Sequence, residues 1–599
     1  MTHLLSSVAH RSMTFAADSV SPPNVGYGAM FMLILFIVGS VWIGIIANRS
    51  TEKGGFMKGF FLGNRGLGAW ALALTATIQS GGTFMGFPSL VYSHGWIVAL
   101  WIGSYMVVPI TGFGILGKRL AQLSRRTGAI TVPDLFRTRF HSPTLGVTCT
   151  LFILLYLSFM MFAQFKAGAL VLKLAWPNSD SMSLSEDAAI VAPVSDPVAA
   201  VSTAESKKPA PTEAEKATAD AAAKKAEEVA NFRYHTGLIV FAVTVVGYTL
   251  MGGFLAAVWT DLFQSLLMFL GVAILLAASL YAVGGLEQAT MKSLENTGPG
   301  FVYGPGYMDD KTSTHEFLPL SLAISFFVVW IWGGVGAPAG LVRLMASQDT
   351  RVIRKSIYLL SIYNMGIYLP LIVICVCGRA LIPSLKSSDE LIPRMAILTT
   401  SGLPGGSLVA GLILAAPFGA VMATVSSYLV VLSSGVVRDI YQRFINRDAD
   451  RDHLRRVAWG TMIGAGIISV LVSWNPVDFL QAFIVFSTSG AAATFLVPAL
   501  MACYWRRATT KGVFGSMISG ALVVLVLYVI GVFNLLPAQG IGTTKGFHPY
   551  FLLGLDPLIW GILVSATFGI AGSLLSEPLD EELVSRMFDA QTNTTTGAT

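Results

Sequence analysis

Apolar residues fall along this chain in long blocks, and the polar and charged residues collect between them. About thirteen blocks stand out, with cores near 28–47, 69–92, 95–117, 145–175, 236–253, 259–284, 318–344, 357–382, 405–436, 457–474, 477–504, 512–534 and 556–577. A helix of roughly 20 apolar residues crosses a hydrocarbon layer of about 30 Å. No water reaches backbone N–H and C=O groups there, so a crossing segment must satisfy them itself. The pattern predicts an all-α polytopic membrane protein. Its transmembrane body spans 28–578, with a leading segment 1–27 and a tail 579–599.

The connections carry an orientation signal. Basic residues cluster at Arg49 to Arg65, Lys118 to Arg139, Arg343 to Lys355, Arg438 to Arg456 and Arg506 to Lys511, while the alternate loops hold few. Loops rich in Lys and Arg stay cytoplasmic. That places the N-terminus outside and the C-terminus inside, with an odd number of crossings. The exception is 177–235, rich in Ala, Lys, Glu, Pro and Thr and nearly free of aromatics. Such a segment cannot bury enough apolar surface to fold alone, although its Ala/Glu/Lys-rich second half favours helix. It reads as an extracytoplasmic insertion, because long loops translocate regardless of charge.

Composition narrows the function. Only 12% of residues are charged, against roughly 25% in soluble domains, and mean hydropathy is +0.67. The net charge of +6 comes from short topogenic loops, so it does not indicate nucleic acid. No nucleophile elbow, phosphate loop or metal-ligand spacing is present, and the four cysteines lie in apolar runs. An enzyme is not expected.

Three apolar blocks hold features that plain packing does not need. The first is ALTATIQSGGTF, where Thr77, Ser80, Gly81 and Thr83 bring hydroxyls and a Gly-Gly pair to membrane depth. Paired glycines weaken helix and allow it to unwind. The second is WIWGGVGAPAG, where Trp330, Trp332, Gly336 and Pro338 surround an interruption. Transporters build solute and ion sites from interrupted helices in corresponding halves. The third is the run 405–436, where Ala420, Ala423, Thr424 and Ser427 share one helix face. A small, hydroxyl-bearing face admits a neighbouring backbone or a hard cation. Packing through small residues explains any one of these; three together favour a solute site.

Two ionisable residues add to the picture. Lys166 lies inside a span beside Gln164. It either meets an anionic solute group or snorkels to the interface marked by Lys173 and Trp176. Asp261 lies near the start of a span, where it either caps the helix or supplies a carboxylate to a cation.

The segment Gly247–Gln264, GYTLMGGFLAAVWTDLFQ, resembles the signature of the sodium:solute symporter family. FFLGNRGLGAWALALTATIQSGGTFMGFPSLVYSHGW, TVPDLFRTRF, GAPAGLVRLMASQD and SSGVVRDIYQR resemble further family segments, so the likeness covers roughly 28–510. It implies an inverted five-plus-five helix repeat of the leucine-transporter type with one extra N-terminal helix. It also implies sodium-driven alternating access, with Na⁺, a small solute and the lipid bilayer as partners. Oligomeric state is left open. The resemblance places a main sodium site at Ala76, Gln79, Ala420, Ala423 and Thr424. The family usually has serine where Ala423 stands, so one hydroxyl ligand is missing. A second sodium site of some relatives corresponds to Asp261, Ser426 and Ser427.

Trp330 and Pro338 match solute-site positions of the proline symporter, but Gly334 replaces an aromatic there. Many members have arginine where Leu170 stands, and Lys166 lies one turn away. The expected function is sodium-coupled import of a small polar or carboxylate solute, pantothenate- or monocarboxylate-like. Proton-coupled or uncoupled transport, or a solute sensor of the same fold, are the alternatives.

Overall fold

The computed structural model describes residues 26–51, 61, 65–76, 80–177, 213–304, 319–385, 387–475, 480–537 and 546–588. Thr77 and Gln79, nearly all of the 1–27 segment, residues 178–212 of the insertion and 589–599 of the tail lie outside the described residues.

Helix follows helix throughout. The chain runs α1 (Tyr27–Thr51), α2 (Ala69–Ala76), then a wide turn over Gly82–Gly86 into α3 (Phe87–His94). Next come α4 (Ala99–Val108), α5 (Lys118–Thr127), α6 (Val132–Phe140), α7 (Pro143–Ala175), α8 (Glu213–Val283) and α9 (Leu286–Thr297). The second half holds α10 (Leu320–Gly336), α11 (Pro338–Met345), α12 (Thr350–Leu381), α13 (Leu391–Thr400) and α14 (Gly406–Ser434). The last elements are α15 (Arg451–Val472), α16 (Leu480–Tyr504), α17 (Thr510–Val532), α18 (Pro557–Leu574) and α19 (Glu581–Phe588). Side chains set several starts: Thr131, Ser142, Asp349 and Thr509 each accept the backbone N–H three residues on.

Among the described residues, nine helices are long and apolar enough to cross a membrane, and two bent pairs extend the count to eleven. One of the nine is two crossings. Its 57 residues would span about 85 Å if straight, far beyond a bilayer. Gly253 breaks it, with φ 58° and ψ −147°. Tyr248 and Thr260 both lie 3.9 Å from the point where a Cβ on Gly44 would sit. In a straight helix those two would be about 18 Å apart, so the chain doubles back at Gly253, between the two apolar blocks expected at 236–253 and 259–284. The Ala/Glu/Lys-rich second half of the insertion is helical, as its composition favours: from Glu213, where the described residues resume, the helix runs on into the apolar block 236–253.

Burial sorts the helices. The apolar run of α14 is 83% buried against 28% for α1, so α14 is central and α1 peripheral. Phe31, Ile34, Leu35, Val38 and Trp42 form an exposed stripe on α1, suited to lipid. The described part of the tail packs on the body: Val584 and Met587 of α19 are buried, and Arg126 Nη1 donates to the Met587 carbonyl at 2.6 Å.

Candidate functional site

The first interrupted segment lies against α7. Helix α2 is described to Ala76, and the π turn starts at Gly82. Gly81 N–H donates to Gln164 Oε1 at 2.7 Å, and Ser80 accepts the Gly82 N–H at 3.1 Å. The glycines serve close approach. A Cβ on Gly81 would lie 2.8 Å from Ala167 Cβ, and one on Gly82 would lie 2.9 Å from Ile484 Cδ1. Ala167 Cβ cannot turn aside, so the Gly81 approach is fixed, whereas the Ile484 Cδ1 end against Gly82 can shift. Gln164 Nε2 is buried with no hydrogen-bond partner among the described residues, a donor that a bound solute would satisfy.

The second interruption is where Pro338 predicts it. Ala337 is extended, Pro338 opens α11, and α10 and α11 meet at 42°. Gly336 lets Ala492 of α16 approach: a Cβ there would lie 2.7 Å from its Cα. Trp330 is buried and stacks on Tyr105 at 5.2 Å. Tyr105 stacks on Tyr368 at 4.4 Å, and the Tyr368 hydroxyl lies 3.1 Å from Thr83 Oγ1. Thr83 and Trp330, expected as solute contacts, thus stand at two ends of one aromatic row. Trp332 is half-buried and lies about 200° further round α10, away from that row. Tyr105 and Tyr368 were not legible as site residues, since each looks like an ordinary aromatic in an apolar run.

The small-residue face of α14 is fully enclosed: Ala420, Ala423, Thr424, Ser426 and Ser427 are all buried. Thr424 Oγ1 donates to the Ala420 carbonyl at 2.9 Å, and Ser426 Oγ donates to the Ala423 carbonyl at 3.0 Å. A hydroxyl that spends its proton on its own helix keeps lone pairs for a cation. Ala76 is the last described residue of α2, and its expected partner Gln79 lies outside the described residues.

Asp261 is not a helix cap. It sits two turns past Gly253, 2% exposed, with Arg343 Nη2 at 2.5 Å from its Oδ2. The same guanidinium donates to Ser427 Oγ, and Ser427 itself lies 3.4 Å from Asp261 Oδ2. Asp261 and Ser427 therefore converge, but on Arg343. The sequence places Arg343 among topogenic loop residues; the structure buries it to 2% exposure.

Lys166 does not snorkel. It is 6% exposed, and its Nζ lies 2.8 Å from Asp389 Oδ2. That oxygen also accepts the Leu480 N–H at 3.1 Å. Next door, Lys173 and Arg394 both hold Glu390, at 3.0 and 2.8 Å. The short turn Ser388–Glu390 is thereby tied to α7.

A model of the sodium:solute symporter family matches residues 60–192 and 216–520. This chain belongs to that family. The unmatched residues 193–215 fall inside the insertion. The sodium/pantothenate symporter of Haemophilus influenzae is 30% identical over 93% of this chain and 98% of its own length. Its Escherichia coli counterpart is 27% identical over 86% and 92%. The Escherichia coli sodium/proline symporter is 25% identical over 87% and 92%. Among solved structures, the substrate-bound outward-open state of a Na⁺-coupled sialic acid symporter superposes with TM-score 0.62 at 16% identity, covering 93% of this chain and 99% of that one. The architecture is the inverted five-plus-five helix repeat with α1 as the extra leading helix. The protein is a multi-pass plasma-membrane symporter that couples a small solute to Na⁺.

Proposed function

We propose that this symporter imports a small carboxylate-bearing solute of the pantothenate class, and that Lys166 receives the solute's carboxylate. The observation that carries this reading is the buried Lys166–Asp389 pair. Lys166 lies on α7 two residues after Gln164, which accepts the Gly81 N–H, and on this reading its ammonium stands at the edge of the candidate solute site. In this state Asp389 occupies it with a carboxylate of the protein's own. A solute carboxylate replaces that partner when the Ser388–Glu390 turn withdraws. Gln164 Nε2 supplies a further donor, and the Trp330–Tyr105–Tyr368 row supplies an apolar wall. Thr77, Ser80, Gly81 and Thr83 contribute from the first interruption; Trp332, Gly336 and Pro338 shape the second. The similarity to pantothenate symporters supports the same solute class.

Sodium couples at the main site, through Ala76, Gln79, Ala420, Ala423 and Thr424. Asp261, Ser426 and Ser427 do not form a second open cation site in this state, because the Arg343 guanidinium takes the position and the charge of an ion there. On this reading one sodium accompanies each solute. The basic-rich end faces the cytoplasm, with the N-terminus outside and the C-terminus inside, and no reaction chemistry is assigned.

The test is thermal unfolding of the purified protein with carboxylates, their amides and amino acids, each in sodium, potassium and choline. A solute that binds only the folded state raises the midpoint by mass action. The reading predicts stabilisation by carboxylates in sodium alone. Stabilisation by amides as large as by acids overturns the role of Lys166.

A further inference from the structure

The candidate sodium ligands fall on two separate stretches of chain. Ala76 is the last described residue of α2, while Ala420, Ala423 and Thr424 lie within α14. The first interruption lies against α14: Val421 Cγ2 is 3.5 Å from the point where a Cβ on Gly81 would sit. A cation held by backbone carbonyls depends directly on the separation of the two backbones, because a carbonyl has no rotamer with which to adjust. Such a site needs its ligands held by surrounding hydrogen bonds.

Both stretches are fastened to the hairpin of α8. Ser265, buried on the second arm, donates its hydroxyl to the Leu74 carbonyl of α2 at 2.9 Å or to the Asp261 carbonyl of its own helix at 2.7 Å. Leu74 stands two residues before Ala76. Tyr248, buried on the first arm, donates its hydroxyl to the Met422 carbonyl of α14 at 3.1 Å. Met422 stands between Ala420 and Ala423. The two arms meet at Gly253, so one hairpin holds a backbone carbonyl beside each half of the candidate ion site. Tyr363 of α12 donates to the Ser265 carbonyl at 3.1 Å, which anchors that arm to a further helix. A serine inside a helix ordinarily bonds a carbonyl three or four residues back. Ser265 has that option in Asp261 and still reaches across to α2.

We propose that Ser265 and Tyr248 are positioning residues for sodium: the α8 hairpin sets the separation of α2 and α14, and through it the fit of the ion. This rests on the main-site reading given above. Neither hydroxyl touches the ion; each acts through the carbonyl of a residue beside a ligand.

The test is a sodium titration of the full chain in phosphatidylcholine nanodiscs, with sodium chloride replacing choline chloride at constant ionic strength and no solute present. The midpoint of thermal unfolding is followed, since an ion that binds only the folded chain raises it by mass action. Ser265→Ala, Ser265→Thr and Tyr248→Phe are compared with wild type, and Thr424→Ala reports on the main site itself. Loss of one hydrogen bond weakens apparent sodium affinity by about two- to tenfold in Ser265→Ala and in Tyr248→Phe. Ser265→Thr keeps the hydroxyl and stays near wild type, and Thr424→Ala is weakened as well. An unchanged sodium response in Ser265→Ala or Tyr248→Phe, with Thr424→Ala weakened, overturns the inference and leaves the main-site reading standing. No sodium response in wild type, or an unchanged one in Thr424→Ala, overturns the main-site reading and the inference with it. A midpoint that drops in choline while sodium affinity holds marks a packing residue, and Ser265→Thr as weak as Ser265→Ala removes the hydroxyl's role; either result overturns the inference.

Discussion

Two of the buried carboxylates, Asp261 and Asp389, each hold one basic side chain among the described residues, yet their settings differ. Asp261 sits inside the second arm of α8, and its partner Arg343 is fixed by both Asp261 and Ser427. Asp389 sits on the three-residue turn Ser388–Glu390, and its partner Lys166 lies within α7. A helix interior cannot carry a carboxylate away without unwinding. A short turn between helices can. The guanidinium is a permanent charge in a rigid fork, whereas an ammonium is a point charge on a flexible stem. On the proposed function, the first pair stays in place at a cation position, and the second exchanges its carboxylate for the solute's.

The largest effect expected from this contrast is on the fixed pair. Arg343→Met leaves the Asp261 charge buried and alone, which costs about 3–5 kcal/mol. Adding Asp261→Asn recovers most of that loss in thermal unfolding. A double variant as unstable as the single one breaks the account of this pair. On the proposed reading the Ser388–Glu390 turn withdraws and takes Asp389 to water, so Lys166→Met is expected to cost less stability than Arg343→Met. Its effect falls on transport instead. Hydrogen bonds to charged groups contribute about 1.5–3 kcal/mol, so KM for carboxylate solutes rises by about tenfold or more while neutral solutes change little. An equal loss for both classes makes the pair a latch only.

Smaller effects sharpen the surroundings. Gly81→Ala forces a Cβ to within 2.8 Å of Ala167, and overpacking of that kind costs about 1–3 kcal/mol; the midpoint of unfolding reads it. Ala423→Ser restores the family's usual hydroxyl and tightens apparent sodium affinity by about 1 kcal/mol in sodium-activation curves. An unchanged sodium curve removes Ala423 from the main site.

The smallest effect is on pH. Burial alone would raise Glu390, but Lys173 and Arg394 outweigh it and hold its carboxyl below the usual 4.5. Its folded-state value is depressed, so its contribution is present above pH 4.5 and fades as pH falls through the lowered value. Glu390→Gln should flatten that part of the stability profile.

Much of the fold was legible because the bilayer constrains it so strongly. Gly253 and Pro338 mark breaks that the chain makes, and both follow from local backbone chemistry. The helix over the second half of the insertion was legible as a propensity of Ala, Glu and Lys; its continuity with the following span was not. The site was legible only in part. Lys166 and Asp261 stand out as charges in apolar runs. Their partners Asp389 and Arg343 lie 223 and 82 residues away in sequence, beyond any spacing rule. Arg343 looked like a topogenic loop charge, because residue counting does not distinguish a solvated arginine from a buried one.

The most direct test of the central claim is uptake of radiolabelled pantothenate into proteoliposomes under an inward sodium gradient, with choline replacing sodium at fixed pH as the control. The account predicts accumulation above equilibrium in sodium alone, inhibited by small carboxylates and not by their amides. Uptake that survives in choline, or inhibition by amides as strong as by acids, would contradict it.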